Sequence, residues 1–263
     1  MKIPSAILLG LISAIMLMLA GCEAFIPVTP PPPKMKPPFA YEPLSVRNSC
    51  FVESVHFYDM YLSRKIEGGW VRVLQWGNQD GDYKISSGHA VAIYVADGKL
   101  CGYDINFGFW PIGVPVERRA DPTDVGPRVF AHYPQFKPVF ARYREDYMQE
   151  VPAKRPDFLF YHANQDVRDA TRVASELGRF RPVYVVEFAY MEKGLKQQSA
   201  AAIFVFNGRL CIYFPRGGTH ISNSLVRAVD DPAAVRFVIG RLYPGATDIR
   251  PQPGGYLLFP PKN

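Results

Sequence analysis

Two stretches decide the fold. The first is His89-Ala90-Val91-Ala92-Ile93-Tyr94-Val95-Ala96-Asp97-Gly98-Lys99-Leu100-Cys101, and the second is Ser199-Ala200-Ala201-Ala202-Ile203-Phe204-Val205-Phe206-Asn207-Gly208-Arg209-Leu210-Cys211. Each is an apolar run, a two-residue turn and a second apolar run. Asp-Gly and Asn-Gly best accept the positive φ angles of a type I′ hairpin turn. The same offset brings Asp121-Pro122, Val125 and Tyr133-Pro134 onto Asp231-Pro232, Val235 and Tyr243-Pro244. In both places Asp suits a helix cap and Pro suits the first turn. A register shared over roughly fifty residues implies an internal duplication, with halves at 44–140 and 152–263.

Each half also carries a helix pattern ahead of its strands. In the first, Phe51, Val55, Tyr58 and Leu62 follow an i, i+4, i+7 stripe. In the second, Asn164 or Asp166 opens a helix that buries Val167, Thr171, Ala174 and Leu177. Strands are expected at Val71–Trp76 and Val183–Phe188. The fold class is therefore α+β. Each of its two tandem halves is an N-terminal helix packed on an antiparallel sheet and followed by a helix.

The hairpin turn places the chemistry. With Asp97-Gly98 at the tip, Ala96 faces Lys99 and Val95 faces Leu100. Counting back pairs Val91 with Asp104 and His89 with Asn106. Alternation along a strand then puts His89, Val91, Asp104 and Asn106 on one face. Asp104 lies diagonal to His89 and Asn106 directly opposite, both within reach of an imidazole. Either residue holds the second ring nitrogen and fixes the tautomer. Cys50 stands at the start of the first helix, after Asn48 and Ser49, either of which suits a cap. Free N–H groups and the positive end of the helix dipole favour a thiolate there. Glu53, one turn on, opposes that effect and is expected to be solvated.

A cysteine at a helix start, a Gly88-His89-Ala90-Val91 strand, and Gly98-Lys99-Leu100 leading to Tyr103-Asp104-Ile105-Asn106 resemble the bacterial transglutaminase-like cysteine proteinases of the papain-like superfamily. The resemblance covers about 44–110. It implies that Cys50 is the nucleophile, His89 the general base and acid, and Asp104 the orienter. The family usually has an acidic residue directly after the cysteine, where this chain has Phe51. Papain has a glutamine six residues upstream of its cysteine, where this chain has Leu44. The oxyanion hole is then left to the Cys50 backbone N–H, with Asn48 as a second contributor.

The second half lacks this set. Ser199 stands where His89 stood, Phe214 stands where Asp104 stood, and no cysteine lies near 160–162. That half is expected to buttress the first or to form a cleft wall. Cys101 and Cys211 fall on the hairpin face opposite His89 and are read as packing residues.

The chain of 263 residues opens with Lys2 and an uncharged apolar run from Ile3 to Ala20. This is the layout of a secretory signal over 1–21. It ends in Leu19-Ala20-Gly21-Cys22, which resembles the lipobox of bacterial lipoproteins and implies lipid on Cys22. Glu23 next to it leans towards the periplasmic face of a Gram-negative outer membrane. Residues 22–43 are then a lipidated cysteine and a proline-rich tether in polyproline II, holding the domain off the membrane. A formal net charge of +6, with no Lys/Arg block, argues against a nucleic-acid binder. Asn78, Asp80 and Asp82 around Gly81 lack the closing Glu of a calcium loop and are read as a turn. No metal and no cofactor is expected.

The expected activity is a thiol hydrolase or acyltransferase acting on amide bonds, with a peptide, protein or peptidoglycan substrate. The rival is an inactive papain-like lipoprotein serving as a binding or assembly module in the cell envelope.

Overall fold

The computed structural model describes residues 32–80, 84–133, 140–144, 163–192, 194–222, 236–237, 239–240, 243 and 245–251. The signal segment, Cys22, the 81–83 turn and the Asp231-Pro232 helix start lie outside the described residues. Among those described, three α-helices and ten strands form an α+β fold with two antiparallel five-stranded sheets. The helices are α1 (Cys50–Ser63), α2 (Pro122–Phe130) and α3 (Ala163–Leu177). The first sheet holds β1 (Val71–Asp80), β2 (Lys84–Ala96), β3 (Lys99–Asp104), β4 (Gly108–Pro111) and β5 (Phe140–Tyr143) in the order β4-β3-β2-β1-β5. The second holds β6 (Val183–Glu192), β7 (Leu195–Phe206), β8 (Arg209–Phe214), β9 (Gly218–Ser222) and β10 (Thr247–Pro251) in the order β10-β6-β7-β8-β9.

The two hairpins carry the expected register. Ala96 pairs with Lys99 and Val95 with Leu100, and likewise Phe206 with Arg209 and Val205 with Leu210. The turn residues have φ of 49° at Asp97, 65° at Gly98, 46° at Asn207 and 69° at Gly208. Two successive positive φ values are what a type I′ turn demands. The strand expected at Val71 pairs with β2, and the one at Val183 pairs with β7. Helix α2 begins as the Asp-Pro pair implies, with the Asp121 carboxylate accepting from the Thr123 N–H at 2.8 Å. Two further strands join each sheet, β4 and β5 in the first and β9 and β10 in the second, which periodicity did not foretell.

Helix α1 departs from its expected stripe. Phe51 and Val55 are buried and Tyr58 partly so, but Leu62 is 52% exposed. Val52, Phe57 and Tyr61 are buried instead, as are the polar Glu53, Ser54, His56 and Asp59. The reason is that α1 is covered from two directions. One apolar cluster joins its Phe51, Val52 and Val55 to Val73 and Ala90 of the first sheet. It also takes in Ala170, Val173 and Ala174 of α3 and Val185, Ala202 and Phe204 of the second sheet. A helix enclosed this way over its first turns keeps little solvent face there, so its sequence loses the simple stripe. Helix α3 buries Ala170, Val173, Ala174 and Leu177, with Val167 half-buried and Thr171 only partly covered. Each fully buried Phe, Val or Leu in this core contributes about 1.5–3 kcal/mol.

The proline-rich stretch is not a free spacer over its described part. The Met35 N–H donates to the Phe109 carbonyl at 2.9 Å, and Phe39 stacks on Phe57 with ring centroids 5.4 Å apart. The Tyr41 hydroxyl donates to Glu53 at 2.5 Å. Aromatic residues between the prolines supply the buried area that proline alone cannot. Among the described residues no helix is long and apolar enough to cross a membrane.

Candidate functional site

Strand β2 holds His89 near its middle, opposite Trp76 of β1. Its face is the one that carries Val91, Ile93 and Val95 against α2, while Cys101 packs on the α1 side. Strand β3 ends at Asp104, one step past the Ala92–Tyr103 pair. The Asp104 carboxylate meets Nε2 of His89 in a direct hydrogen bond, and the Asn106 backbone N–H donates to its other oxygen at 2.7 Å. Asp104 is therefore the residue that orients the ring. Asn106 acts through its main chain, and its side chain is exposed. A residue just past the strand end turns its side chain to solvent, so strict face alternation stops applying there.

Cys50 is the first residue of α1 and is partly exposed. Its sulfur lies near enough to the His89 ring to act electrostatically on the imidazole. With Nε2 committed to Asp104, the nitrogen left for the sulfur is Nδ1. Of the three, His89 and Asp104 are bonded directly, and Cys50 lies beside the ring at the start of α1. Burial alone would lower the His89 pKa. The Asp104 carboxylate and then Cys50 outweigh it and push the ring up to about 10.

Tyr133, just beyond α2, completes the site and was not singled out from sequence as functional. Its hydroxyl lies 3.1 Å from His89 Nε2, close to the Asp104 carboxylate. Burial and the Asp104 charge raise its pKa well above that of a free phenol, so it remains a neutral donor. Trp76 and Tyr133 enclose the imidazole, with ring centroids 5.1 and 4.9 Å from it. The one signal in the sequence was the recurrence of Tyr-Pro at 133 and 243, which marks a shared position but not its contact.

The entry to α1 differs from expectation. Neither Asn48 nor Ser49 caps the helix. The Ser49 hydroxyl donates back to the Val46 carbonyl at 2.6 Å, and no side chain caps the first turn. The Asn48 amide donates across to the Pro215 carbonyl at 2.7 Å, which directs it away from a role as oxyanion donor. Asn48 has φ of 50°, a left-handed conformation that asparagine tolerates.

Glu53 is not solvated. It is 1% exposed and accepts from the hydroxyls of Tyr41 and Tyr103, both at 2.5 Å, and from the Leu44 N–H at 2.9 Å. Burial raises its pKa, and these three donors work the other way. It ties the N-terminal segment to the helix and stands in a separate polar cluster.

In the second half Ser199 and Phe214 occupy the places of His89 and Asp104. Ser199 donates to Asp166 of α3 at 2.8 Å, and Phe214 packs on Tyr243. Cys211 is buried in the core, with its pKa pushed up to about 12 by desolvation. Cys101 is likewise buried, and desolvation raises its pKa. Among the described residues no cluster of His, Cys, Asp and Glu is arranged to hold a metal ion. Comparison with protein-family models, curated proteins and solved structures finds no match.

Proposed function

We propose that this chain is a lipid-anchored envelope protein with a Cys50-His89-Asp104 thiol acyltransfer site, built on two tandem papain- or transglutaminase-like halves. The observation that carries the reading is the placement of one imidazole between a helix-start thiol and a buried carboxylate. Cys50 is the nucleophile, and the His89 ring takes its proton as the sulfur attacks, becoming the imidazolium. The Cys50 sulfur attacks the carbonyl carbon of an amide. The oxyanion forms near the Cys50 backbone N–H, which belongs to a helix start without an intrahelical acceptor or a side-chain cap. The His89 imidazolium gives its proton to the leaving nitrogen as the C–N bond breaks, leaving a thioester and a neutral ring. That ring then takes a proton from water or an incoming amine as it attacks the thioester. Sulfur leaves as thiolate, and the product is an acid or a new amide. The substrate class is a peptide, a protein side-chain amide or a peptidoglycan peptide. Lys2, the apolar run to Ala20 and the lipobox-like Leu19-Ala20-Gly21-Cys22 support export and lipid on Cys22.

The test is covalent labelling with a thiol-directed peptide electrophile, followed by mapping of the adduct. An adduct on Cys50 that disappears in His89→Ala and Asp104→Ala supports the reading. A folded protein that takes no adduct at Cys50 would belong with the binding modules instead.

A further inference from the structure

We infer that the second half has kept its own site position as a clamp that holds the Cys50 loop in its reactive place. This rests on the triad proposed above and names the residues that position it. The hub is Asp166, near the start of α3 and fully buried. It accepts from Ser199 Oγ at 2.8 Å, from Arg216 Nε at 2.8 Å and from Arg47 Nη2 at 3.2 Å. Arg216 is itself buried, and it also donates to the Tyr190 hydroxyl at 2.8 Å and the Gln198 carbonyl at 3.2 Å. Ser199 and Arg216 stand at the repeat positions of His89 and Asn106. The degenerate half has thus replaced an imidazole site with a buried ion pair.

Arg47 belongs to the other half and lies three residues before Cys50. Its Nε donates to Asp169 at 2.7 Å while Nη2 reaches Asp166, so two carboxylates of α3 hold one guanidinium. The Arg47 carbonyl accepts from the Tyr213 hydroxyl, and the next residue, Asn48, donates to Pro215. Four bonds from the second half therefore fix residues 47 and 48. The loop needs them because Ser45 and Asn48 both have left-handed φ, 53° and 50°, and no side chain caps the helix that follows. Within the loop the Ser49 hydroxyl bonds only back to Val46, so a loop in that conformation also needs its surroundings to hold it. Ser49 and Cys50 follow directly, so movement at Arg47 is passed to the thiol.

A second bond between the halves serves as the control. Arg181 grips Asp59 of α1, with Nε 2.7 Å from Oδ2, more than two turns along the helix from Cys50. It joins the halves without touching the loop.

The experiment measures iodoacetamide alkylation of Cys50 in the full chain from pH 5 to 9, beside the thermal unfolding midpoint. Arg47→Ala should slow Cys50 alkylation at pH 6.5 by about tenfold or more, since displacement of about 1 Å in a catalytic constellation carries losses up to a hundredfold. Its pH profile should move towards that of His89→Ala. Arg47→Lys keeps the charge facing Asp166 and Asp169 but loses the fork, and should give an intermediate rate with a near-normal midpoint. Arg181→Lys should lower the midpoint and leave the Cys50 profile unchanged. The clamp is overturned if wild-type Cys50 reacts much faster than in His89→Ala while Arg47→Ala and Arg47→Lys keep the wild-type rate and profile. It is also overturned if Arg181→Lys slows Cys50 as much as Arg47→Lys does, since any loosening of the halves would then suffice. If wild-type Cys50 reacts no faster than in His89→Ala, the triad fails and the clamp fails with it.

Discussion

The Tyr133 hydroxyl stands 3.1 Å from Nε2 of His89, on the same nitrogen that Asp104 holds. A carboxylate and a phenol therefore meet at one side of the ring, and the other side is left to Cys50. Tyr133→Phe removes the hydroxyl but keeps the ring that packs on Trp76. The loss of one buried hydrogen bond to a charged group is worth about 1.5–3 kcal/mol before relaxation. We expect a slower Cys50 reaction and a higher His89 pKa, since Asp104 loses a donor that shared its charge, read by NMR titration of the imidazole. An unchanged His89 titration would show that Tyr133 only packs.

His89 gives a pH dependence whose sign follows from its shift. Its folded pKa of about 10 lies above the ordinary 6.5. The stability it contributes is therefore complete below pH 6.5 and fades as pH rises through about 10. The midpoint difference between the wild type and His89→Ala should shrink from pH 6 to pH 10.5. A difference that grows with pH would mean the ring is neutral in the folded chain.

Thiol reactivity should separate the three cysteines of the mature domain. Cys101 and Cys211 are buried with raised pKa values and should resist iodoacetamide at pH 7. Cys50 should react first, and His89→Ala should slow it far more than Ser199→Ala, because only His89 supplies a counter-charge at contact range. Asp104→Ala should fall between them, and Asn106→Ala should have little effect, since Asn106 contributes its backbone N–H. Mass mapping of the alkylated sites after short exposure decides the order.

Glu53→Leu should cost about 2–4 kcal/mol, because it strands the Tyr103 and Tyr41 hydroxyls and the Leu44 N–H that bond to its carboxylate. It should also release residues 35–44, exposing them to protease. Chemical denaturation and limited proteolysis measure the two effects, and normal protection of the segment would argue that Phe39 and Tyr41 hold it by packing alone.

Cys22→Ser should abolish incorporation of a labelled fatty acid, because the acyl chains need that sulfur. Labelling equal to that of the wild type would remove the lipid anchor from the proposal.

Several of these relationships are local in the chain, and several are not. Asp97-Gly98 and Asn207-Gly208 fix both hairpin tips through backbone sterics. From the tip, side-chain alternation along the strand leads to His89 and Asp104 on one face. Two-residue periodicity and turn chemistry act within a few residues, so the sequence alone determined the α+β class, the repeated hairpins and two members of the candidate site. What lay beyond was decided by the meeting of distant segments. Tyr133 reaches His89 across 44 residues, and Arg47 reaches Asp166 across 119. Helix α1 lost its amphipathic stripe because both halves cover it, and Glu53 became buried because the segment at Tyr41 and Leu44 folds back over it beside Tyr103. The segment before it was expected to stand clear as a tether, yet Met35, Phe39 and Tyr41 found an apolar surface to lie on. Burial and charge pairing depend on which surfaces close over a residue, and the tertiary structure alone sets that.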